Sequence, residues 1–191
     1  MPPPTPPTLI AGSRVHLRHP CEADRRAWVT LRSASRDFLE RWEPKRPASI
    51  DGFGSTGFDL YKHNADTDRQ QRHLIIRTAD DTLLGHVGIN EIARGPFQNG
   101  ILGYWIGEAF AQQGYMTEAI RLVLQRGFGD LGLHRIEANI MPANTASKAV
   151  IAKCGFRLEG VSPRYLQIAG VWADHERYAI TAEEVPQLPR R

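Results

Sequence analysis

A glycine-containing turn before a helix is the first feature of this sequence that could do chemistry. Residues 101–130 read ILGYWIGEAFAQQGYMTEAIRLVLQRGFGD, an alternating apolar run, a short connection ending in Gly114, and apolar residues at helical spacing. Gly114 can adopt backbone angles closed to other residues, and the amides of Gln113 to Thr117 fall where a helix leaves N–H groups without intrahelical partners. Such a turn suits the phosphates of a cofactor, although an ordinary tight turn has the same local pattern.

A second polar cluster, Asn144 to Lys148, opens another predicted helix. Asn144 is of a type that often caps a helix N-terminus, which makes Ser147 the third helical residue and places it in the first turn. Gly155 then ends the helix in the manner of a C-terminal glycine cap. The cluster therefore presents a hydroxyl and an ammonium group at a helix start.

Histidine and cysteine show no metal-binding pattern. The seven histidines have no HxxxH or HxH spacing, and no cysteine stands near enough to complete a ligand set. Cys21 and Cys154 are the only two cysteines, which is neither a disulfide framework nor a metal set. We predict no metal and two free thiols, as expected of a cytosolic protein.

Composition is that of an ordinary globular protein. The chain has 191 residues, of which 41% are hydrophobic and 24% charged, with a formal net charge of +3. No block of like charge indicates nucleic-acid binding, and no apolar run approaches the length of a membrane span. With no signal peptide in the N-terminal sequence, we predict a cytoplasmic protein that binds neither nucleic acid nor membrane.

The remaining pattern predicts a mixture of strands and helices in a single domain over residues 14–181. A flexible proline-rich tail (1–13) precedes it and a C-terminal tail (182–191) follows it. The predicted elements are a strand at 14–18, two helices between Pro20 and Pro44, a helix over 58–63, strands over 73–78, 83–92, 101–106 and 134–141, helices over 117–128 and up to Lys153, and final strands over 156–158 and 173–180.

Two separated blocks of the sequence resemble a known family. The stretch LGYWIGEAFAQQGYMTEAI is similar to the acetyl-CoA-binding segment of the GNAT N-acetyltransferases, and HRIEANIMPANTASKAVIAKCGFRLEGVSPRYLQIAGVWADHERYAI resembles the RimJ/RimL branch, the ribosomal-protein N-terminal alanine acetyltransferases. The resemblance covers roughly Arg14 to Thr181. It implies an α/β (α+β) GNAT fold with a mixed, mostly antiparallel sheet of about seven strands and about four helices.

The resemblance implies a sheet that splays between its fourth and fifth strands, here 101–106 and 134–141, with acetyl-CoA in the gap. Ala111 and Met116 depart from the superfamily's phosphate-loop pattern, and Met116 is expected to narrow the approach. Because backbone amides hold the phosphates, neither change removes the contact. The implied cofactor-binding residues are Trp105, Ile106, Gly107, Gln112, Gln113, Gly114, Tyr115, Met116, Thr117, Asn144, Ser147 and Lys148.

The same resemblance implies catalytic roles. The serine matching Ser147 is proposed to protonate the departing thiolate, and the asparagine matching Asn144 to contact the cofactor. Glu137 on the fifth strand and Glu91 on the third could both line the expected gap, and water relayed to either could take the amine proton. A glutamate that some members carry is replaced here by Leu166.

The implied reaction is acetyl transfer from acetyl-CoA to a primary amine, without a metal. The first candidate acceptor is the N-terminal alanine of a ribosomal protein. The alternatives are a small amine such as an amino acid, polyamine or aminoglycoside, or a non-catalytic acyl-CoA-binding module. We expect a monomer or a homodimer.

Overall fold

The protein is built on one continuous sheet with helices on both faces. The computed structural model describes residues 6–185, so most of the predicted C-terminal tail and the first five residues lie outside the described part. Strands occupy Ile10–Ala11 (β1), Val15–Arg18 (β2), Asp66–Thr67 (β3), Gln70–Arg77 (β4), Leu83–Ala93 (β5), Asn99–Ile106 (β6), Arg135–Ile140 (β7), Arg157–Ile168 (β8) and Val171–Thr181 (β9). Helices occupy Arg25–Ala34 (α1), Arg36–Glu40 (α2), Ser55–His63 (α3), Tyr115–Phe128 (α4) and Thr145–Lys153 (α5).

The strand order is β1-β2-β4-β5-β6-β7-β9-β8, with β3 paired to β4. All neighbours are antiparallel except β6 and β7, which run parallel. The sheet is mixed and mostly antiparallel, and the predicted fold class is confirmed. The sheet begins earlier than predicted, because β1 pairs with β2 and the Leu9 N–H donates to the Leu17 carbonyl at 2.8 Å, inside the segment predicted to be a flexible tail.

Two apolar layers sandwich the sheet. On one face α4 and α5 cover a core that includes Leu84, Ile120 and Ile136, all fully buried. On the other face α1 and α3 cover a smaller cluster that includes Trp28 and Phe58. Each buried aliphatic side chain of this size contributes roughly 1.5–3 kcal/mol, so both layers hold the sheet in place.

The last two strands form a longer hairpin than the sequence predicts. β8 extends to Ile168 and β9 starts at Val171, whereas the pattern ended the first strand at Leu158. β8 is an edge strand that is exposed over most of its length, and it carries bulges between Leu158 and Gly160 and between Ser162 and Leu166. An edge strand of this kind lacks the alternation of buried and exposed residues from which a strand is predicted in a sequence.

Candidate active site

The sheet opens between β6 and β7. These two strands are paired only at Asn99–Arg135, Gly100–Ile136 and Ile101–Glu137. Beyond Ile101, β6 stays paired with β5 as far as Ile106 but leaves β7. We call the gap between residues 102–106 of β6 and 138–140 of β7 the wedge. Its position is the one predicted from the sequence.

Backbone groups of β6 face into the wedge. The Gly107 N–H donates to the Leu84 carbonyl at 2.9 Å, so it points toward β5 and is already used. The backbone N–H and C=O groups of successive residues point to opposite sides of a strand, so those of Tyr104 and Ile106 point away from β5. The register gives these groups no partner on β7. A ligand in the wedge can therefore take hydrogen bonds from β6 as an extra strand would.

The turn before α4 is shaped to receive an anion. Gly114 is left-handed, with φ +84° and ψ −6°, and no side chain caps the helix. The first backbone bond of the helix runs from the Glu118 N–H to the Gly114 carbonyl at 3.3 Å, so the N–H groups of residues 115–117 have no intrahelical acceptor. The side chains of Tyr115 and Met116 are buried, which means that Met116 does not narrow the approach as expected.

Three cations surround this turn, and the sequence reasoning missed all of them. Arg14, on the loop before β2, donates to the Gln113 carbonyl at 2.9 Å, and Arg121 on α4 donates to the Lys153 carbonyl at 3.0 Å. Arg121 and Lys153 line one surface depression with Gly114 and Thr117. None of the three cations is ion-paired within residues 6–185. Arg121 lies one helical turn after Thr117 and therefore on the same face of α4. This spacing is the sequence signal that could have identified Arg121 as a site residue.

These features fit the phosphates of a CoA molecule. Unpaired N–H groups at a helix start and unpaired cations around them both favour a multiply charged anion. Gln112 and Gln113 are exposed on the same loop, and Gln112 has a positive φ of 59°. The loop is thus a set of outward-facing backbone donors rather than a group of side-chain ligands.

The α5 start lies at the other side of the wedge. Asn144 caps the helix as predicted, since its Oδ1 accepts from the Ser147 N–H at 3.1 Å. The Ser147 hydroxyl lies 2.9 Å from the hydroxyl of Tyr104 on β6. Tyr104 was not among the predicted site residues. It stands in the half of β6 that borders the wedge, so the structure brings β6 and α5 together through this side-chain pair.

The predicted bases are less well placed. Glu91 lies at the end of β5 that is level with the paired residues of β6 and β7, where its exposed carboxylate contacts Arg69 at 3.1 Å. The expectation that it lines the wedge is wrong, because the wedge opens at the other end of β6, beyond Ile101. Glu137 does lie beside the wedge, but its carboxylate accepts from Arg135 at 3.0 Å.

Two predicted cofactor contacts point elsewhere. Lys148 lies 3.2 Å from Glu176 on β9, so its charge is already paired, and Lys153 rather than Lys148 lies near the α4 turn. Trp105 turns its ring toward α1 and stacks edge-on against Trp28 at a centroid distance of 6.1 Å. Trp105 therefore belongs to the wall on the opposite face of the sheet from α4.

That wall closes the second side of the wedge. The guanidinium of Arg32 on α1 is buried over the rings of Trp105 and Phe53, at 4.9 and 4.2 Å, and is bound by Glu43 at 2.6 Å. The Ala169 N–H at the tip of the β8–β9 hairpin donates to the Glu43 carbonyl at 3.0 Å. This hydrogen bond joins the hairpin to the segment that follows α2.

The described residues contain neither a metal-binding cluster nor a membrane-spanning helix. Residues 6–185 contain no group of three or more histidine, cysteine, aspartate or glutamate side chains placed to hold a metal ion. In the same range no helix is both long enough and apolar enough to cross a membrane.

Comparison with known proteins agrees with the geometry. Residues 14–157 match the family described as "Acetyltransferase (GNAT) domain". The chain is 34% identical to the probable N-acetyltransferase YjcK of Bacillus subtilis, covering 90% of this chain and 96% of the relative. It is 31% identical to the [ribosomal protein uS5]-alanine N-acetyltransferase of Escherichia coli, covering 84% and 85%. The structure of Mycobacterium smegmatis RimJ in complex with CoA-disulfide superposes with a TM-score of 0.80 at 34% identity, covering 91% of this chain and 84% of that chain.

The family match and the relatives make this chain an acetyl-CoA-dependent N-acetyltransferase of the GNAT type. The chain belongs to the GNAT acetyltransferase family. Its relatives and structural neighbours include ribosomal-protein-alanine N-acetyltransferases of the RimJ/RimL type, so the family predicted from the two sequence blocks is confirmed.

Proposed function

We propose that this enzyme acetylates the α-amine of a protein N-terminus, with the N-terminal alanine of a ribosomal protein as the first candidate. The similarity to the Escherichia coli enzyme supports this acceptor class. In the proposed reaction the neutral amine attacks the thioester carbonyl directly. The wedge-facing N–H of Ile106 or Tyr104 stabilises the oxyanion, and Ser147 gives a proton to sulfur.

The observation that carries the proposal is the state of the carboxylates on β7, β8 and β9. These strands contain four, and each accepts from a cation or a backbone N–H. Glu137 accepts from Arg135, Glu159 from Arg135 and Arg157, Asp174 from the Arg164 N–H, and Glu176 from Lys148. Arg135 lowers the pKa of Glu159 to about 2, and the hydrogen bonds from Tyr178 and Lys148 hold the pKa of Glu176 below its ordinary value.

Because each of these carboxylates already accepts a hydrogen bond, none is left as an unpartnered proton acceptor for the amine. The next side chain on the wedge face of β7 is Asn139, whose buried Oδ1 has no partner within residues 6–185. An amide oxygen can accept a hydrogen bond from an amine but cannot take its proton. The site therefore suits an acceptor that is already appreciably neutral.

An N-terminal amine meets this requirement. Its pKa of about 7.7–8.0 leaves roughly a tenth of it neutral at pH 7, whereas lysine at about 10.4 is neutral in fewer than about one molecule in a thousand. On this argument an α-amine has an advantage of more than about a hundredfold in reactive fraction before any binding difference is counted.

The test uses one peptide that begins with alanine and carries an internal lysine, with its N-terminus free or blocked. We expect release of CoA from acetyl-CoA with the free peptide and almost none with the blocked one. Equal or faster acetylation of the blocked peptide would contradict the proposal. If no peptide reacts and spermidine or a free amino acid is acetylated rapidly, the acceptor is a small amine.

A further inference from the structure

One hydrogen bond joins the splayed part of β6 to the first turn of α5. The phenol oxygen of Tyr104 lies 2.9 Å from Ser147 Oγ and 3.5 Å from the Ser147 carbonyl oxygen. Tyr104 comes from the splayed part of β6, and Ser147 from the first turn of α5. No sequence motif drew attention to Tyr104, because the two residues are 43 positions apart.

The helix itself makes no use of the Ser147 hydroxyl. The Ser147 backbone N–H is satisfied by Asn144 Oδ1 at 3.1 Å, and within residues 6–185 the only hydrogen-bond partner of Ser147 Oγ is Tyr104. Serines in helices commonly bond back to a carbonyl of the preceding turn, and here that bond is replaced by a partner from another element. The hydroxyl is thus held from outside the helix.

The direction of the hydrogen bond decides what the pair can do. A phenol is a better donor than an aliphatic hydroxyl, so the favoured arrangement has Tyr104 donating to Ser147 Oγ. Burial raises the pKa of Tyr104 to about 12, so the phenol keeps its proton throughout the physiological range. With its oxygen occupied by the Tyr104 proton, Ser147 has its own hydrogen free to turn into the wedge.

We propose that Tyr104 is a positioning residue for the transfer step: it donates to Ser147 Oγ and thereby directs the Ser147 proton at the departing sulfur. This inference rests on the proposed role of Ser147 as the acid.

The proton balance of the step is complete. As the amine nitrogen bonds to the acetyl carbon, the carbon–sulfur bond breaks and its electron pair goes to sulfur, which takes the proton of Ser147. The new amide nitrogen loses its surplus proton to water, and Ser147 recovers one from water. Tyr104 keeps its proton and stabilises the charge that develops on Ser147 Oγ.

The first test compares turnover in Tyr104→Phe, Ser147→Ala and the double variant, with saturating acetyl-CoA and whichever amine the enzyme accepts. Removing one hydrogen bond to a charged group should lower kcat about 10- to 100-fold in Tyr104→Phe, with KM for acetyl-CoA nearly unchanged. The double variant should be no slower than Ser147→Ala alone, because Tyr104 acts through Ser147. The matched control is Tyr61→Phe, which removes a buried phenol that lies 3.0 Å from His86 Nδ1 on the other face of the sheet and should leave kcat within about twofold.

A binding measurement keeps the test independent of the acceptor and of turnover. At a pH where the thiol of CoA ionises, Tyr104→Phe and Ser147→Ala should each bind CoA more weakly than the wild type does. Both variants should bind CoA that lacks its sulfur as tightly as the wild type does. Three results would each overturn the inference. These are wild-type kcat in Tyr104→Phe, losses of kcat that multiply in the double variant, and an equal loss of affinity for CoA with and without its sulfur. Absence of peptide acetylation by the wild type would instead contradict the proposed function.

Discussion

At the scale of single residues, Gly114 is the position where backbone geometry and ligand binding coincide. Its φ of +84° is strained for any residue with a side chain, although the nearest atom to an added Cβ is the guanidinium of Arg14 at 3.5 Å. A valine there would therefore meet no steric clash, but its backbone strain would distort the turn and its side chain would cover the N–H groups.

We predict that Gly114→Val weakens acetyl-CoA binding at least about tenfold by calorimetry, since several backbone hydrogen bonds to phosphate depend on this turn. Gly132→Val is the matched control, because Gly132 has a φ of +59° with no atom near an added Cβ and lies beyond the opposite end of α4. Both variants should lose about 1–2 kcal/mol of stability, and only Gly114→Val should lose affinity. Unchanged affinity in Gly114→Val would mean that the phosphates bind elsewhere.

The residue scale is also where sequence reasoning succeeded and failed most clearly. The turn at Gly114, the cap at Asn144 and the first-turn position of Ser147 were predicted correctly, because a helix start dictates residue types locally. Tyr104 and the cations Arg14 and Arg121 were missed, since their roles depend on which elements meet in space. Glu91 was assigned to the wedge from its strand alone.

At the scale of elements, α5 is fixed by groups at its first turn. Asn144 Oδ1 caps it, Ser147 is tied to β6 through Tyr104, and Lys148 to β9 through Glu176. The start of the helix consequently connects β6, on one side of the opening, with β9, which is next to β7 on the other side. This arrangement holds the proposed acid in place while the wedge stays open to a ligand.

We predict that Asn144→Ala costs about 1 kcal/mol of unfolding free energy, as expected for a lost N-cap, and lowers turnover because the first turn of α5 loosens around Ser147. Asn144→Asp keeps an oxygen acceptor and should restore most of the stability in urea denaturation. Thr145→Ala, one position later in the same turn, serves as the control. If Asn144→Ala and Thr145→Ala denature at the same urea concentration, the cap contributes nothing.

The elements themselves were largely predictable from the sequence, and their ends were less so. Periodicity placed α4, β6 and β7 within a few residues, and the flanking Asn144 and Gly155 placed α5. It shortened β8, whose exposed residues and bulges leave no alternation. The family resemblance, and not periodicity, indicated that the sheet splays.

At the scale of the whole molecule, the sheet buries two neutral histidines between its layers. Burial lowers the pKa of both His73 and His86 to about 3. Neither ring nitrogen of His73 has a hydrogen-bond partner within residues 6–185. In the unfolded chain these histidines titrate near pH 6.5, so between about pH 6.5 and 3 the unfolded state binds more protons than the folded state.

We therefore predict that stability falls as pH decreases through this range, by up to about 1.4 kcal/mol per pH unit for each buried histidine. His73→Leu should reduce that slope, measured as unfolding free energy in urea at several pH values from about 6.5 to 4. His63→Gln, on the exposed end of α3, should leave the slope unchanged. A slope identical in His73→Leu and in the wild type would show that His73 does not contribute.

The central claim is that this GNAT enzyme modifies a protein N-terminus, and mass spectrometry of protein N-termini tests it most directly. Cells with the gene, without it, and with a Ser147→Ala copy should be compared. We predict that the N-terminal residue of a ribosomal protein loses its acetyl group without the gene and that the Ser147→Ala copy does not restore acetylation to the wild-type level. Identical N-termini in all three strains, or changes confined to lysine side chains, would contradict it.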